Sequence, residues 1–303
     1  MHPQLSIVIP VYNSEKSINL LYEQLKKELK GEVCEVIFVD DASHDRSWEV
    51  LQQIKSESQL NITIIQLKHN IGQHRATLIG FMQCIGDIMV TLDDDLQHPP
   101  DEIKRLVQLS RKEKADVLYG VYRGRKQHSF VRNIASAFTA VASKYFSAHK
   151  KTKGSSFRVL TKEIVQQLVS HVNEFVYIEE AIHQYAQKID FVEINHVKRK
   201  EGTSSYTILK LIELYLYILS VYHEKPLKKM LLISLGGMMA ASAFIQYYVI
   251  DTEFPFLIKL VPLLVSLLLL GGGLFFASIS LYCIFKRKTF LNNITPYQIK
   301  QHL

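Results

Sequence analysis

The sequence predicts an α/β domain followed by a pair of membrane-spanning helices. Short runs rich in Ile and Val alternate with amphipathic segments through residues 5–197, which is typical of a largely parallel sheet covered on both faces by helices. Residues 230–250 and 260–285 carry no charged side chain, and each run is long enough to cross a hydrocarbon core of about 30 Å. With 303 residues, of which 48% are apolar, the chain can form both parts.

Each predicted strand is a short apolar run bounded by polar or turn-forming residues. The first helix is indicated by a single apolar stripe that includes Ile18, Leu21 and Leu25. Strands are predicted over residues 5–11, 36–39, 62–67, 88–92, 117–121 and 191–197, and later helices over residues 72–85 and 174–188. Because polar residues follow several of these strands, ligands are expected at the carboxyl edge of the sheet.

Three consecutive acidic residues follow the fourth predicted strand. Asp93 and Asp95 stand two positions apart at its end, so both carboxylates can be directed at one hard cation. Gln97 can add an amide oxygen or orient the carboxylates. Oxygen ligands of this kind favour Mg²⁺ or Mn²⁺. The alternative is an acidic turn that caps the helix begun by Pro99 and Pro100.

The first two strands also end in polar turns. Pro10, Tyr12 and Asn13 leave the first strand in an extended turn, and Asp40 with Asp41 ends the second. Both turns reach the same edge of the sheet because the strands are predicted to be parallel. That edge can hold a nucleotide.

Several other chemistries are disfavoured. The chain has neither a G-x-x-x-x-G-K phosphate loop nor a G-x-G-x-x-G fingerprint, so a metal is expected to neutralise a bound diphosphate. It also lacks H-E-x-x-H and paired C-x-x-C motifs, and its three cysteines lie far apart in apolar surroundings. No zinc site or disulfide is therefore predicted.

Basic residues are concentrated after the fifth predicted strand. Arg123 and Arg125 can meet phosphate oxygens bidentately, the alternative being a solvated basic face. Arg199 precedes a turn in which Ser204 and Ser205 can close over a diphosphate or an acceptor phosphate. The net charge of +7 also suits an anionic membrane surface, and the membrane segments decide against nucleic acid as the partner.

The C-terminal part is predicted to form a transmembrane hairpin over residues 229–286, the alternative being a buried helix pair. Basic residues flank the outer ends of both spans, so the positive-inside rule places both ends in the cytoplasm. Residues 207–228 are predicted to form an interfacial amphipathic helix and linker, and residues 287–303 a cytoplasmic tail. No basic region or cleavage site precedes the first strand, so the α/β domain is also expected in the cytoplasm. Glycines in the spans would allow close helix packing, within one chain or in a homo-oligomer.

Several segments together resemble the family 2 glycosyltransferases. They are PVYN, VDDASHD, HNIGQ, LDDDLQHPP, YGVYRGR, GSSFR and RKEGTSSY. LDDDLQHPP in particular is similar to the metal-binding segment of the polyprenyl-phosphate branch, which includes dolichyl-phosphate mannose synthase and bacterial lipid-linked transferases with two transmembrane helices. The resemblance implies a GT-A catalytic domain, with a Rossmann-like mixed sheet, over residues 1–206. It also implies inverting transfer of one sugar from a UDP- or GDP-sugar to polyprenyl phosphate at the cytoplasmic membrane face.

The resemblance also implies roles for individual residues. The divalent cation would be held by Asp93, Asp95 and Gln97, and catalysis would be served by Asp95, Arg123, Arg125 and Arg199. Contacts to donor or acceptor are implied for Pro10, Tyr12, Asn13, Asp40, Asp41, Asn70, Gly72, Asp94, Ser204 and Ser205. Asp40 is expected at the base of the nucleotide and Asp41 at its ribose. Ser205 stands where the family commonly has lysine, so one cation fewer is available there.

Three other functions remain open. A hydroxyl acceptor would need a base, and Glu179 and Glu180 stand where related enzymes often carry a Glu-Asp pair. A processive polysaccharide synthase is disfavoured, because its usual Gln-x-x-Arg-Trp segment is absent and the single tryptophan is Trp48. A catalytically idle membrane scaffold is disfavoured by the intact acidic set.

Overall fold

A computed structural model describes residues 4–122, 154–170, 177–194, 224–250, 256–292 and 297–303. The chain divides into two compact units. The first comprises residues 1–134, 151–204 and 294–303, and the second comprises residues 135–150 and 205–293. The first unit holds the sheet, and the second holds two long helices.

The strands of the first unit are β1 (Leu5–Val11), β2 (Cys34–Asp40), β3 (Asn61–Leu67), β4 (Ile88–Thr91), β5 (Val117–Tyr122), β6 (Arg158–Thr161), β7 (Ile189–Ile194) and β8 (Ile299–His302). Its helices are α1 (Ile18–Glu28), α2 (Ser47–Glu57), α3 (Gln73–Gln83), α4 (Glu102–Glu113), α5 (Lys162–Val169) and α6 (Ile178–Tyr185). All six strands predicted from the sequence are present, with ends shifted by a few residues.

Within the described residues the strands form one mixed sheet in the order β7-β5-β6-β4-β1-β2-β3-β8. Strands β1 to β4 are parallel to one another, and β5 is parallel to β7. Strand β6 is antiparallel to β4 and β5, and β8 is antiparallel to β3. The carboxyl ends of β1, β2 and β4 therefore share one edge with the first residue of β6.

The central strands of the sheet are buried on both faces, as their Ile- and Val-rich sequences require. Every residue of β1 and β2 is buried. Along β1, Ile7 and Ile9 pack into the apolar cluster under α1, α2 and α4, whereas Val8 packs into the cluster under α3, α5 and α6. This alternation leaves the strand ends as the positions from which polar groups reach solvent.

Two strands were missed by the sequence analysis. Strand β6 contains the buried charged residue Arg158, and β8 has the polar sequence IKQH, so neither is an apolar run. Strand β8 is held by its pairing with β3 and by a hydrogen bond from Nε1 of Trp48 to Oε1 of Gln301, 3.0 Å long. Residues 299–302, predicted only as part of a cytoplasmic tail, thus complete one edge of the sheet.

The second unit contains helices α7 (Glu224–Ile250) and α8 (Phe256–Asn292). Each includes a stretch apolar and long enough to cross a membrane, Leu227–Tyr247 and Leu263–Phe285, with mean hydropathies of 1.5 and 2.2. Most of the residues in these stretches are not buried within the protein, which argues against a buried core pair. A Cβ atom at Gly273 would lie 2.5 Å from Cγ of Met238, so glycine lets the two helices approach closely.

Candidate active site

The carboxyl edge of the sheet carries the acidic triplet, and its three carboxylates have different partners. Asp93 accepts hydrogen bonds from Nε2 of Gln73 at 2.5 Å and from Oγ of Ser156 at 2.6 Å. Asp94 turns toward the loop after β1, and Asp95 accepts from Nε2 of Gln97 at 2.8 Å. Adjacent positions in one loop thus have different hydrogen-bond partners.

Asp94 anchors the turn that follows β1. Its Oδ2 atom accepts from the backbone N–H of Tyr12 at 3.1 Å and from Oγ of Ser14. Burial raises the pKa of Asp94 to about 7, and the neighbouring charges of Asp93 and Asp95 act in the same direction. These contacts give Asp94 a structural role, which is to hold the turn after β1. Its contact with substrate stays a prediction.

Strained backbone marks the same edge. Asn13, Ala42 and Leu96 have φ values of 54°, 57° and 62°, in the left-handed region that non-glycine residues seldom adopt. Asn13 is held by a donated bond from its N–H to Oγ of Ser43, and its Oδ1 atom accepts from the N–H of His44. Such residues concentrate where the backbone must present groups to a ligand.

Asp40 and Asp41, predicted to contact the nucleotide, are both buried. Asp40 accepts from the N–H of Ser43 at 3.2 Å and from Nε2 of Gln66 at 3.3 Å. Burial raises its pKa above the usual range. Its part in the structure is to shape the turn after β2, and its predicted contact with a base remains untested.

Asp41 holds the turn before α3. Its two oxygens accept from the backbone N–H groups of Ile71, at 2.7 Å, and Gly72, at 2.8 Å. Burial raises the pKa of Asp41 to about 6, and these two hydrogen bonds oppose the rise. Gly72 has φ = 88°, which glycine adopts without strain, and Asn70 in the same turn is exposed. The turn is therefore built by Asp41, and the ribose contact stays a prediction.

His98 has a structural part that the sequence analysis missed. Its Nδ1 atom accepts from the backbone N–H of Asp93 at 3.0 Å, and its buried ring stacks on Tyr122, with ring centroids 5.9 Å apart. The acceptor role leaves Nδ1 without a proton. The residue follows Gln97 directly in the chain, but nothing in the sequence indicates this bond across a tight loop.

An ion pair between a buried guanidinium and a partly buried carboxylate lies beside Asp93. Nη1 of Arg158 is 3.1 Å from Oε1 of Glu179, and Nδ1 of His74 is 3.6 Å from Oε2. Burial acts to raise the pKa of Glu179, but Arg158 and His74 together hold it below the usual range. For His74 itself, burial lowers the pKa. Glu179 is therefore a poor proton acceptor near neutral pH.

The acidic loop suits a divalent cation. Asp93, Asp95 and Gln97 offer carboxylate and amide oxygens, which are ligands typical of Mg²⁺ and Mn²⁺. Burial, followed by the charges of Asp95 and Asp93, raises the pKa of the Tyr122 hydroxyl. Within the described ranges no group of three or more His, Cys, Asp or Glu side chains could hold a metal. A site of two carboxylates completed by substrate phosphates and water is the arrangement usual for Mg²⁺.

Five predicted site residues lie outside the described residues: Arg123, Arg125, Arg199, Ser204 and Ser205. The remaining predicted residues are Pro10, Tyr12, Asn13, Asp40, Asp41, Asn70, Gly72, Asp93, Asp94, Asp95 and Gln97, all of which lie on strand ends or turns of the first unit. The side chains of Gln73, Ser156 and His98 complete the surroundings of Asp93.

The fold is GT-A, a mixed α/β sheet followed here by two apolar helices. The glucosyl-3-phosphoglycerate synthase of Mycobacterium tuberculosis in complex with UDP has the same fold, with a TM-score of 0.51 and 16% sequence identity over 72% of this chain and 78% of that chain. A complex of the same synthase with Mn²⁺, UDP-glucose and phosphoglyceric acid aligns with a TM-score of 0.50 and 17% identity over 70% of this chain and 74% of that chain.

Sequence comparison defines the family. Residues 6–167 match the family model described as glycosyl transferase family 2, so the chain belongs to the family 2 glycosyltransferases, as its motifs predicted. It is 34% identical, over 90% of its length and 78% of the relative's, to an undecaprenyl-phosphate 4-deoxy-4-formamido-L-arabinose transferase of Pectobacterium atrosepticum. A transferase of the same description from Photorhabdus laumondii is 35% identical over 80% of this chain and 74% of its own.

Proposed function

We propose that this glycosyltransferase moves one sugar from a UDP- or GDP-sugar onto polyprenyl phosphate, with inversion at the anomeric carbon. The observation that carries the proposal is the pair Asp93 and Asp95, held by neutral donors at the carboxyl edge of a GT-A sheet. The two apolar helices in the same chain suit a lipid-borne acceptor. The descriptions of the two relatives named above, both undecaprenyl-phosphate sugar transferases, support that acceptor class.

The turns after β1, β2 and β3 would bind the nucleotide-sugar donor. Tyr12 and Asn13 lie on an exposed turn that Asp94 and Ser43 hold in place. The backbone at Asn70 and Gly72 is fixed by Asp41, which suits a turn close to the diphosphate. These contacts support a nucleotide site whose shape exists before the donor binds, which lowers the entropic cost of binding.

A divalent cation would be held by Asp93, Asp95 and Gln97. When bound, it supplies charge neutralisation for the nucleoside diphosphate that leaves. Arg123, Arg125 and Arg199 would hold the acceptor phosphate in line with the anomeric carbon, and Ser204 with Ser205 would add hydrogen bonds. Positioning of this kind lowers a barrier by several kcal/mol, roughly, when the reacting groups are well oriented.

The acceptor phosphate needs no general base. A phosphate monoester is already ionised near neutral pH, so it can attack the anomeric carbon directly. The alternative, a hydroxyl acceptor, would require Glu179 or Glu180 as the base. Glu179 is engaged by Arg158 and its pKa is lowered, which makes it unsuited to accept a proton. The contacts therefore argue against Glu179 as the base of a hydroxyl acceptor and leave Glu180 as the candidate for that role.

The protein is proposed to work as an integral, multi-pass protein of the cell membrane. Helices α7 and α8 would cross the bilayer as a hairpin, with the catalytic domain and both termini in the cytoplasm. Basic residues before the first span and after the second support this orientation. A cysteine-labelling experiment on closed spheroplasts would test it, because single cysteines placed in residues 251–255 should react with an impermeant reagent from outside.

A transfer assay tests the function. Full-length protein in detergent is mixed with Mn²⁺ or Mg²⁺, a short polyprenyl phosphate and single UDP- or GDP-sugars, and the lipid fraction is examined by mass spectrometry. We expect a sugar-phosphoryl-polyprenol with one of the donors. Product on a polyprenol but not on its phosphate would overturn the acceptor, and donor binding without any transfer would favour an idle scaffold.

A further inference from the structure

The carboxylate of Asp93 is held on both sides by uncharged donors from two different segments. Gln73 is the first residue of α3, and its amide donates to Oδ1; Ser156 lies in the turn before β6, and its hydroxyl donates to Oδ2. Neither donor carries charge, so these two contacts orient the Asp93 carboxylate without neutralising it. Each oxygen has a further lone pair, which remains for a cation.

The turn that carries Ser156 is itself fixed by buried contacts. Its carbonyl oxygen accepts from Oγ1 of Thr91 at 2.5 Å, and Thr91 accepts from Nε of Arg158 at 3.1 Å. Arg158 is 2% exposed and forms the ion pair with Glu179. The Ser156 hydroxyl therefore has a defined position beside the last residue of β4.

The start of α3 is fixed as well. Asp41 accepts from the backbone N–H groups of Ile71 and Gly72, the two residues before Gln73. The amide of Gln73 thus reaches Asp93 from a helix end whose backbone is restrained. Gln73 is exposed and Ser156 only partly buried, so neither side chain contributes to the apolar core.

We propose that Gln73 and Ser156 are positioning residues, which hold the Asp93 carboxylate in the orientation that binds the divalent cation. The inference rests on the proposed function, because it requires Asp93 to be a metal ligand. Partners of this kind, which contact the ligand rather than the metal, typically change metal affinity by about 10- to 100-fold when removed. A purely structural role would instead alter stability and leave affinity unchanged.

The test measures Mn²⁺ binding rather than activity. Purified full-length protein in detergent is titrated with Mn²⁺, and the free ion is counted from its electron paramagnetic resonance signal. We expect Ser156→Ala and Gln73→Leu each to weaken binding by about tenfold. Ser155→Ala, in the same turn, and Gln83→Leu, at the other end of α3, serve as controls and should bind as the wild type does.

Activity and stability provide two further readouts. In the transfer assay, the Mn²⁺ concentration that gives half-maximal rate should rise for both variants, with a smaller change in the rate at saturating Mn²⁺. The melting temperature without metal should match that of the control variants. Should Ser156→Ala melt early, Ser156→Thr keeps the hydroxyl and is expected to restore Mn²⁺ affinity.

The outcomes separate the inference from the function on which it rests. If Asp95→Ala loses Mn²⁺ binding while Ser156→Ala and Gln73→Leu retain wild-type affinity, the positioning role is wrong and the metal site stands. If wild type and Asp95→Ala bind Mn²⁺ equally, the metal site itself is wrong, and the positioning role is overturned with it.

Discussion

Asp93 and Glu179 are joined by one chain of polar contacts, yet the protein treats their charges in opposite ways. Glu179 faces the guanidinium of Arg158, a buried cation that compensates it. Asp93 is held by the uncharged groups of Gln73 and Ser156, which orient it and leave its charge in place. The carboxylate with a direct ion pair is thereby part of the framework, whereas the one with uncharged hydrogen-bond donors remains available to a metal ion.

The difference follows from the cost of burying charge. A buried carboxylate is stable only if hydrogen bonds and an opposite charge replace the water it has lost. Glu179 has that replacement within the protein. Asp93 has 26% of its side chain exposed, against 17% for Glu179, and its direct donors are uncharged, so its carboxylate can exchange water for a cation. Four experiments test how the protein treats these charges and that of the neighbouring Asp94.

The largest effect is expected from Asp95→Ala. Removal of one of two carboxylate ligands should lower transfer by roughly 10³-fold, because the charge on the departing diphosphate is no longer neutralised. The measurement is kcat/KM in the transfer assay, with membrane insertion checked by fractionation. Asp87→Ala, an exposed carboxylate just before β4, is the matched control. Undiminished transfer by Asp95→Ala would remove the metal from the proposal.

The second-largest effect is expected from loss of the buried cation Arg158. Arg158→Met leaves Glu179 without its partner and is expected to destabilise the first unit by about 3 to 5 kcal/mol. Thermal or denaturant unfolding of the detergent-solubilised protein measures this change. The double variant with Glu179→Gln should recover part of the loss. Lys104→Met, which breaks the exposed pair with Glu32, provides the contrast and should cost less than about 1 kcal/mol.

A smaller effect is expected on catalysis when Glu179 is changed. If phosphate is the nucleophile, Glu179→Gln should alter the rate per folded enzyme by less than about tenfold. Any fall in the transfer rate at low pH (the acidic limb of the pH–rate profile) should be the same in the variant as in the wild type. A base role would instead cost about 10²-fold or more and remove that limb. The amount of folded enzyme must be determined for each sample, because the substitution also leaves Arg158 unpaired.

The smallest effect concerns Asp94 and depends on pH. Its pKa is raised to about 7 in the folded protein, so the folded state holds a proton that the unfolded state releases near pH 4, roughly. The resulting stability is present at low pH and is lost as the pH rises through about 7. Asp94→Asn cannot ionise, and it should melt a few degrees above wild type at alkaline pH without metal.

The difference in melting temperature between wild type and Asp94→Asn should disappear at acid pH, and this serves as the internal control. With both side chains uncharged, wild type and Asp94→Asn should melt at similar temperatures. Asn can still accept from Tyr12 and Ser14, so the turn after β1 is preserved in the variant. A constant difference at every pH would mean that ionisation of Asp94 is not the cause.

Local patterns in the sequence were sufficient for much of this fold. The Ile- and Val-rich runs predicted β1, β2, β3 and β4, and the charge-free runs predicted two long apolar helices, because such patterns follow from burial on a sheet or in lipid. The motifs likewise predicted the family. Strand β7 begins at Ile189, two residues before the predicted position, and the predicted helix over residues 174–188 is shorter, spanning Ile178–Tyr185.

The residue types at the strand ends could be predicted from the sequence, because strand patterns and acidic motifs are local features. The partners of those residues depend on how the strands are arranged in three dimensions. Ser156 meets Asp93 because β6 pairs antiparallel with β4, and Asp41 meets Gly72 because β2 and β3 lie side by side. Strand β8 is polar and exists through its pairing with β3. Contacts between residues far apart in the chain depend on how the strands are ordered, and no local pattern encodes that order.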